Sequence, residues 1–186
     1  MEANIARALH DPLTLSELAV LTLYAQAVTK PYTHIICAPG TEDLNILDMG
    51  PLHESLIRHI AFLINKPSTI FSSDPTAYMV ATFDNHPWDD PNAVLSILFL
   101  YQEKKLLHIE SLLVAFLKGA HNTWKHFMEE FAPSGLIATS TAEEHDFASM
   151  PTSNDVNEGM LGSWHQFFRA KPSLTASHFT DQIMFS

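Results

Sequence analysis

Residues 106–131 read LLHIESLLVAFLKGAHNTWKHFMEEF, and this stretch decides the fold class. Leu106, Ile109, Leu113, Phe116, Ala120, Trp124, Phe127 and Phe131 recur near the helical period. The spacing predicts one long helix over 105–131, with that stripe buried and Pro133-Ser134-Gly135 as its breaker. Trp124 falls in register with the stripe and reads as a core anchor rather than a docking residue.

The flanking segments carry the same signature. Upstream, Thr14-Leu15-Ser16-Glu17 reads as a capping box, with Leu18, Leu21, Ala25 and Val28 behind it and Lys30-Pro31 as the stop. Asp48-Met49-Gly50-Pro51 opens a second helix with proline in its first turn. Leu52, Leu56, Ile60, Leu63 and Ile64 form its apolar face, and Asn65-Lys66-Pro67 ends it. Residues 68–90 read as irregular, with Tyr78 to Phe83 the one strand candidate. Asp90-Pro91 caps a third helix through Leu100. Downstream of the long helix, Ser140 with Glu143 or Thr141 with Glu144 offers a capping box for a short helix to about 149. A further helix is predicted over about 155–170, closed by Lys171-Pro172, with Ser173 or Thr175 starting a last one. The expectation is a mainly α protein, an irregular multi-helix bundle of roughly six to seven helices around the long central one. Residues 1–186 read as a single helical domain, with 151–186 as a C-terminal helical appendage.

Composition narrows the functional classes. The chain has 186 residues, of which 46% are hydrophobic and 17% charged, a globular balance. Its formal net charge of −11, from 21 acidic and 10 basic residues, disfavours a direct grip on nucleic-acid phosphates. The single Cys37 excludes an internal disulfide and any multi-cysteine zinc site, and it reads as a small core residue. No signal-peptide core opens the chain, and the apolar run Ile97 to Tyr101 is far short of the roughly 20 residues that span a bilayer. The implied setting is intracellular, nuclear or cytoplasmic, away from membranes.

Eleven histidines invite a search for metal ligands. His53 and His59 are six residues apart, and His121 and His126 five, so neither pair shares a helix face. The histidines read as surface or helix-end residues, and no metal site is expected. The loop from Asp84 to Asp90 gathers Asp84, Asp89 and Asp90 around His86 and Trp88. Carboxylates in one loop suit Mg²⁺, whereas capping of the helix that Pro91 begins is the plainer reading of Asp89 and Asp90. Later, Pro151-Thr152-Ser153-Asn154-Asp155-Val156-Asn157-Glu158 packs cap residues and acids ahead of Trp164. A carboxylate at Glu158, at the positive end of a helix dipole, suits helix capping and metal or acid–base work alike. Nucleophile elbows, phosphate loops and dinucleotide fingerprints do not occur.

Several of these stretches resemble one family. They are Leu23 to Val28 with Pro31-Tyr32, Asn45 to His53, Gly119 to Trp124, Phe127 with Glu130-Phe131, and above all Pro151 to Gly162. Together they look like transposon-derived reading frames abundant in mushroom-forming fungi, and the similarity runs from about residue 13 onward. The Asn154-Asp155-x-x-Glu158-Gly159 helix start is similar in position to the last acidic residue of RNase H-like transposases, where a helical insertion precedes that glutamate. The resemblance implies Glu158 as a third carboxylate of a two-metal site, with Asn154 and Asp155 shaping its turn, and Mg²⁺ as cofactor only if activity is retained. Asp84 and Asp48 are the more distant additional carboxylates. In that family the first two aspartates sit on a β-sheet, for which this chain offers no set of strands. The implied function is therefore a helical fragment without autonomous catalysis, serving a protein partner or the missing remainder of a larger chain. The alternative is a stand-alone helical enzyme or small-ligand-binding domain built on loop 84–90.

Overall fold

The computed structural model describes residues 8–41, 44–148, 150–152, 162–166 and 169. These residues are mainly helical, with eight named α-helices and no strand among them. In chain order the helices are α1 (Pro12–Tyr24), α2 (Lys30–Ile36), α3 (Gly50–Asn65) and α4 (Tyr78–Ala81). They are followed by α5 (Pro91–Gln102), α6 (Ile109–Phe127), α7 (Leu136–Thr139) and α8 (Ala142–Phe147). The Tyr78–Phe83 stretch is thus a single helical turn rather than a strand, and it ends where Thr82 turns extended.

The first helix starts earlier than its apolar pattern suggests. The Asp11 carboxylate accepts from the Thr14 amide and hydroxyl, both at 2.8 Å, and Pro12 takes the first helical position. Lys30-Pro31 does not stop the chain of helices. Proline has no N–H, so its ring leaves the Ala27 carbonyl without the usual donor four residues on. The backbone widens over Ala25–Thr29 into a π-helix, in which the Lys30 amide donates to the Ala25 carbonyl. The Ala27 carbonyl is then satisfied from outside, by the Phe83 amide at 3.0 Å. One missing donor in sequence thereby anchors a loop more than fifty residues away.

The long helix is the central element, packed against α3 and α1. It is shorter than the periodicity implied, Ile109–Phe127, with Glu129–Phe131 following as a 3₁₀ turn. Its fully buried line is Leu113 and Leu117, continued by Ile109 and Leu106. Against it lie Leu56, Ile60 and Leu63 of α3 and Val20 and Leu23 of α1, which bury their side chains almost completely. Phe116 and Trp124 flank this line half-buried, and Phe127 is exposed, so the aromatic stripe borders the core rather than filling it. Cys37 is exposed rather than a core residue. No helix among the described residues is long and apolar enough to cross a membrane.

Candidate functional site

Loop 82–90 is tied down at both ends. The Thr82 hydroxyl sits within hydrogen-bonding reach of the Tyr78 and His86 carbonyls, at 2.8 and 2.9 Å. The Asp90 amide donates to the Gln26 side-chain oxygen at 2.9 Å, and the Asp90 carboxylate caps α5 through the Ala93 amide at 3.0 Å. Asp90 is therefore a helix cap, whereas Asp89 is a charge partner: it lies 3.4 Å from Lys30 Nζ. Asp84 is the buried acid of the loop, its side chain only 8% exposed. It accepts from the His86 amide and faces His34 Nδ1 at 3.3 Å.

His34 and Lys30, both from α2, complete this cluster. The imidazole bridges two carboxylates, with Nδ1 toward Asp84 and Nε2 toward Asp89, each at 3.3 Å. Nδ1 shares a hydrogen bond with Asp84, and the ring as a whole sits between the two loop acids, so the cluster ties α2 to the loop as a clamp. Sequence reasoning found the loop acids and missed their partners, because 50 residues separate His34 from Asp84 and no local motif links them.

The two histidines of α3 are packed rather than on the surface. His53 is buried among the rings of Tyr32, Trp124 and Phe131, with centroids 5.4–5.9 Å from its own. Its Nε2 shares a 2.9 Å hydrogen bond with the Tyr32 hydroxyl. Burial holds the His53 imidazole below its ordinary value, favouring a neutral ring that accepts from the phenol. Burial likewise raises the Tyr32 phenol. His59 packs against Phe83 and lies 3.2 Å from the Ala81 carbonyl. Burial outweighs its hydrogen bonds to the Ala81 and Ala27 carbonyls and lowers its value too.

A groove of about 490 Å³ opens beside this aromatic box, between the start of α3 and helices α7 and α8. Leu47, Met128, Phe131 and Ile137 supply its apolar lining, and Asp48, Glu54 and His145 its polar lining. The His145 ring spans the groove wall, with Nδ1 3.6 Å from Asp48 and Nε2 3.0 Å from the Ile137 carbonyl. Thr141 and Glu144 form the capping box that starts α8. Gly135 is required here, since a Cβ on it would stand 2.2 Å from the Glu130 carbonyl oxygen. At Gly50 a Cβ would meet the Phe131 ring at 3.1 Å, so the groove floor also rests on a close approach.

Asn154, Asp155 and Glu158 lie outside the described residues. Asp48 and Asp84 are both described, but one lines the groove and the other the clamp. Among the described residues no group of three or more His, Cys, Asp or Glu side chains is arranged to hold a metal ion. Compared with family models, curated proteins and solved structures, the chain matches none.

Proposed function

We propose that the chain is a helical, transposase-derived fragment that has no catalysis of its own and acts by docking onto another protein. One observation carries this reading. Large apolar side chains stand in solvent on several helices: Leu95 and Phe99 on α5, Leu136 on α7, and Phe147 on α8, which is 95% exposed. Such side chains, which find no cover within the described chain, suit contact with a partner. The acidic balance of the chain points the same way, toward protein rather than nucleic acid. An intracellular site of action, nuclear or cytoplasmic, belongs to the same reading.

Two assays test it. The purified chain with Mg²⁺ or Mn²⁺ should leave supercoiled plasmid intact, and metal-dependent nicking overturns the non-catalytic half. Proximity labelling in cells should give a reproducible set of labelled proteins that a Leu95→Ser/Phe99→Ser/Leu136→Ser/Phe147→Ser variant loses. Identical labelling by that variant overturns the docking half.

The buried Asp84 carboxylate favours a second reading, a stand-alone enzyme or small-ligand domain at loop 84–90. Against it stands the seating of the His34 ring between the two loop acids. A substrate or ligand whose binding is lost on Asp84→Asn, with the fold retained, would make this the better account.

A further inference from the structure

We infer that the groove between α3 and helices α7–α8 receives a basic segment of a partner protein, one that carries apolar anchor residues among its lysines and arginines. The inference rests on the docking reading above and names the chemistry of the partner. The lining is of two kinds. Leu47, Met128, Phe131 and Ile137 offer an apolar floor of the size that takes side chains rather than a whole domain. Asp48 and Glu54 stand over it, and the Asp48 side chain is 68% exposed, open to a cation despite its contact with His145.

Charge is one-sided along the segment that supplies the α7–α8 wall of the groove. The cations nearest in sequence to the lining, Arg58 and Lys125, are not part of it. From Met128 to Ala148 the chain carries Glu129, Glu130, Glu143, Glu144 and Asp146 and not one lysine or arginine. All five acids are exposed. A neutral or acidic peptide would bring no countercharge to this rim, and a second copy of so acidic a chain would add repulsion. A basic segment gains long-range attraction from the rim, and its apolar residues gain the floor. Leu136, 80% exposed beside Ile137, extends the apolar surface past the groove edge.

The test uses the full chain and three fluorescein-labelled synthetic peptides, read by anisotropy at low and physiological salt. The first interleaves Arg and Lys with Leu and Phe, the second replaces its basic residues with Glu, and the third replaces its apolar residues with Ser. Only the first should bind the wild-type chain with appreciable affinity at physiological salt. Ala138→Trp, which fills the groove from an exposed position on α7, and Asp48→Lys/Glu54→Lys should each weaken it by about ten-fold or more. The control Glu17→Lys/Glu103→Lys, a charge reversal at exposed positions on α1 and just after α5, should bind as wild type. Equal binding of the serine peptide, or unchanged binding by both groove variants, overturns the proposal. So does a concentration-dependent dimer in sedimentation that Ala138→Trp abolishes, which would make a second copy the occupant. Loss of peptide binding in the Glu17→Lys/Glu103→Lys control, with both groove variants binding as wild type, would sink the groove and leave the docking reading standing. Failure of every peptide together with unchanged proximity labelling would sink both.

Discussion

Two ends of this molecule treat apolar side chains in opposite ways. Where α1, α3 and α6 meet, Leu23, Leu56, Leu63, Leu113 and Leu117 are wholly excluded from water. Where the chain runs through α7 and α8, Leu136 and Phe147 stand almost wholly in it. The difference follows from length. Helices of 13 to 19 residues offer a stripe several turns long to a neighbour, whereas helices of four and six residues offer one turn. The short ones are held by caps and by backbone contact at Gly135 instead of by a buried face. Hydrophobicity alone therefore says little about role here; the partner that a stripe finds inside the chain decides it.

That contrast is broken most directly by truncation at each end. Leu113→Ala should cost about 2–5 kcal/mol, the range for emptying a fully buried leucine site, and should lower the urea midpoint sharply. Phe147→Ala should shift the same midpoint by less than about 0.5 kcal/mol, as for surface residues free of special contacts. Similar losses at the two positions would show that α8 is packed and that the contrast is false.

Trp124 lies between the extremes and sharpens the comparison. The periodicity puts it in the core, and the structure leaves it half-buried, edge-on to Tyr32 with its Nε1 donating to the Tyr24 hydroxyl at 3.4 Å. Truncation to alanine should then cost about 2 kcal/mol, short of the roughly 3–5 of a sealed ring. A midpoint unchanged from wild type would move Trp124 to the docking face.

Acid should weaken the core end first. His53 and His59 both have values lowered by burial in the folded chain, from an ordinary 6.5. Below that ordinary value the unfolded chain takes up protons that the folded one resists, so unfolding is favoured as pH falls. Their contribution to stability is complete above about pH 6.5 and is lost as pH drops from there through the lowered folded values. Urea midpoints measured from pH 7.5 to 5 should fall, and His53→Gln/His59→Gln should flatten the slope. An equally steep slope in that variant would place the titration elsewhere.

What was legible in the sequence follows the same division. The helices and much of their punctuation could be read because periodicity, prolines and caps are local: Asp90-Pro91, Gly50-Pro51 and the Thr141–Glu144 box all stand where residue chemistry put them. The passage through Pro31 could not be read, since its compensation is a carbonyl bond to Phe83 far along the chain. His34 escaped notice for the same reason, and His53 and His59 were read as surface residues because nothing nearby in sequence shows the rings that enclose them. The apolar stripe of α6 was read correctly at Leu106, Ile109 and Leu113, which are buried, but it left out Leu117 and ran on to Phe116, Trp124 and Phe127, which packing leaves half-buried or exposed.

The smallest expected effect concerns the turn that delivers the chain into α6. After α5, the Lys104 amide donates to the Tyr101 carbonyl and the Lys105 amide to the Leu100 carbonyl, both at 3.0 Å. Those two bonds are the Schellman pattern, whose pivot residue adopts left-handed backbone angles and is usually glycine. Here the pivot is Lys104, at φ 55°. Its Cβ crowds the carbonyl in that conformation, a strain of about 1–2 kcal/mol per residue, and glycine removes it. Glycine also loosens the unfolded chain, which takes back part of the gain. Lys104→Gly should therefore raise stability by about 0.5–1 kcal/mol, seen as a higher urea midpoint with an unchanged slope. The Lys104 charge does not obscure the result, because Lys104→Ala keeps the Cβ and loses the ammonium. If the alanine variant gains as much as the glycine one, backbone strain is not the cause, and the α5–α6 turn is held by something other than the pivot geometry.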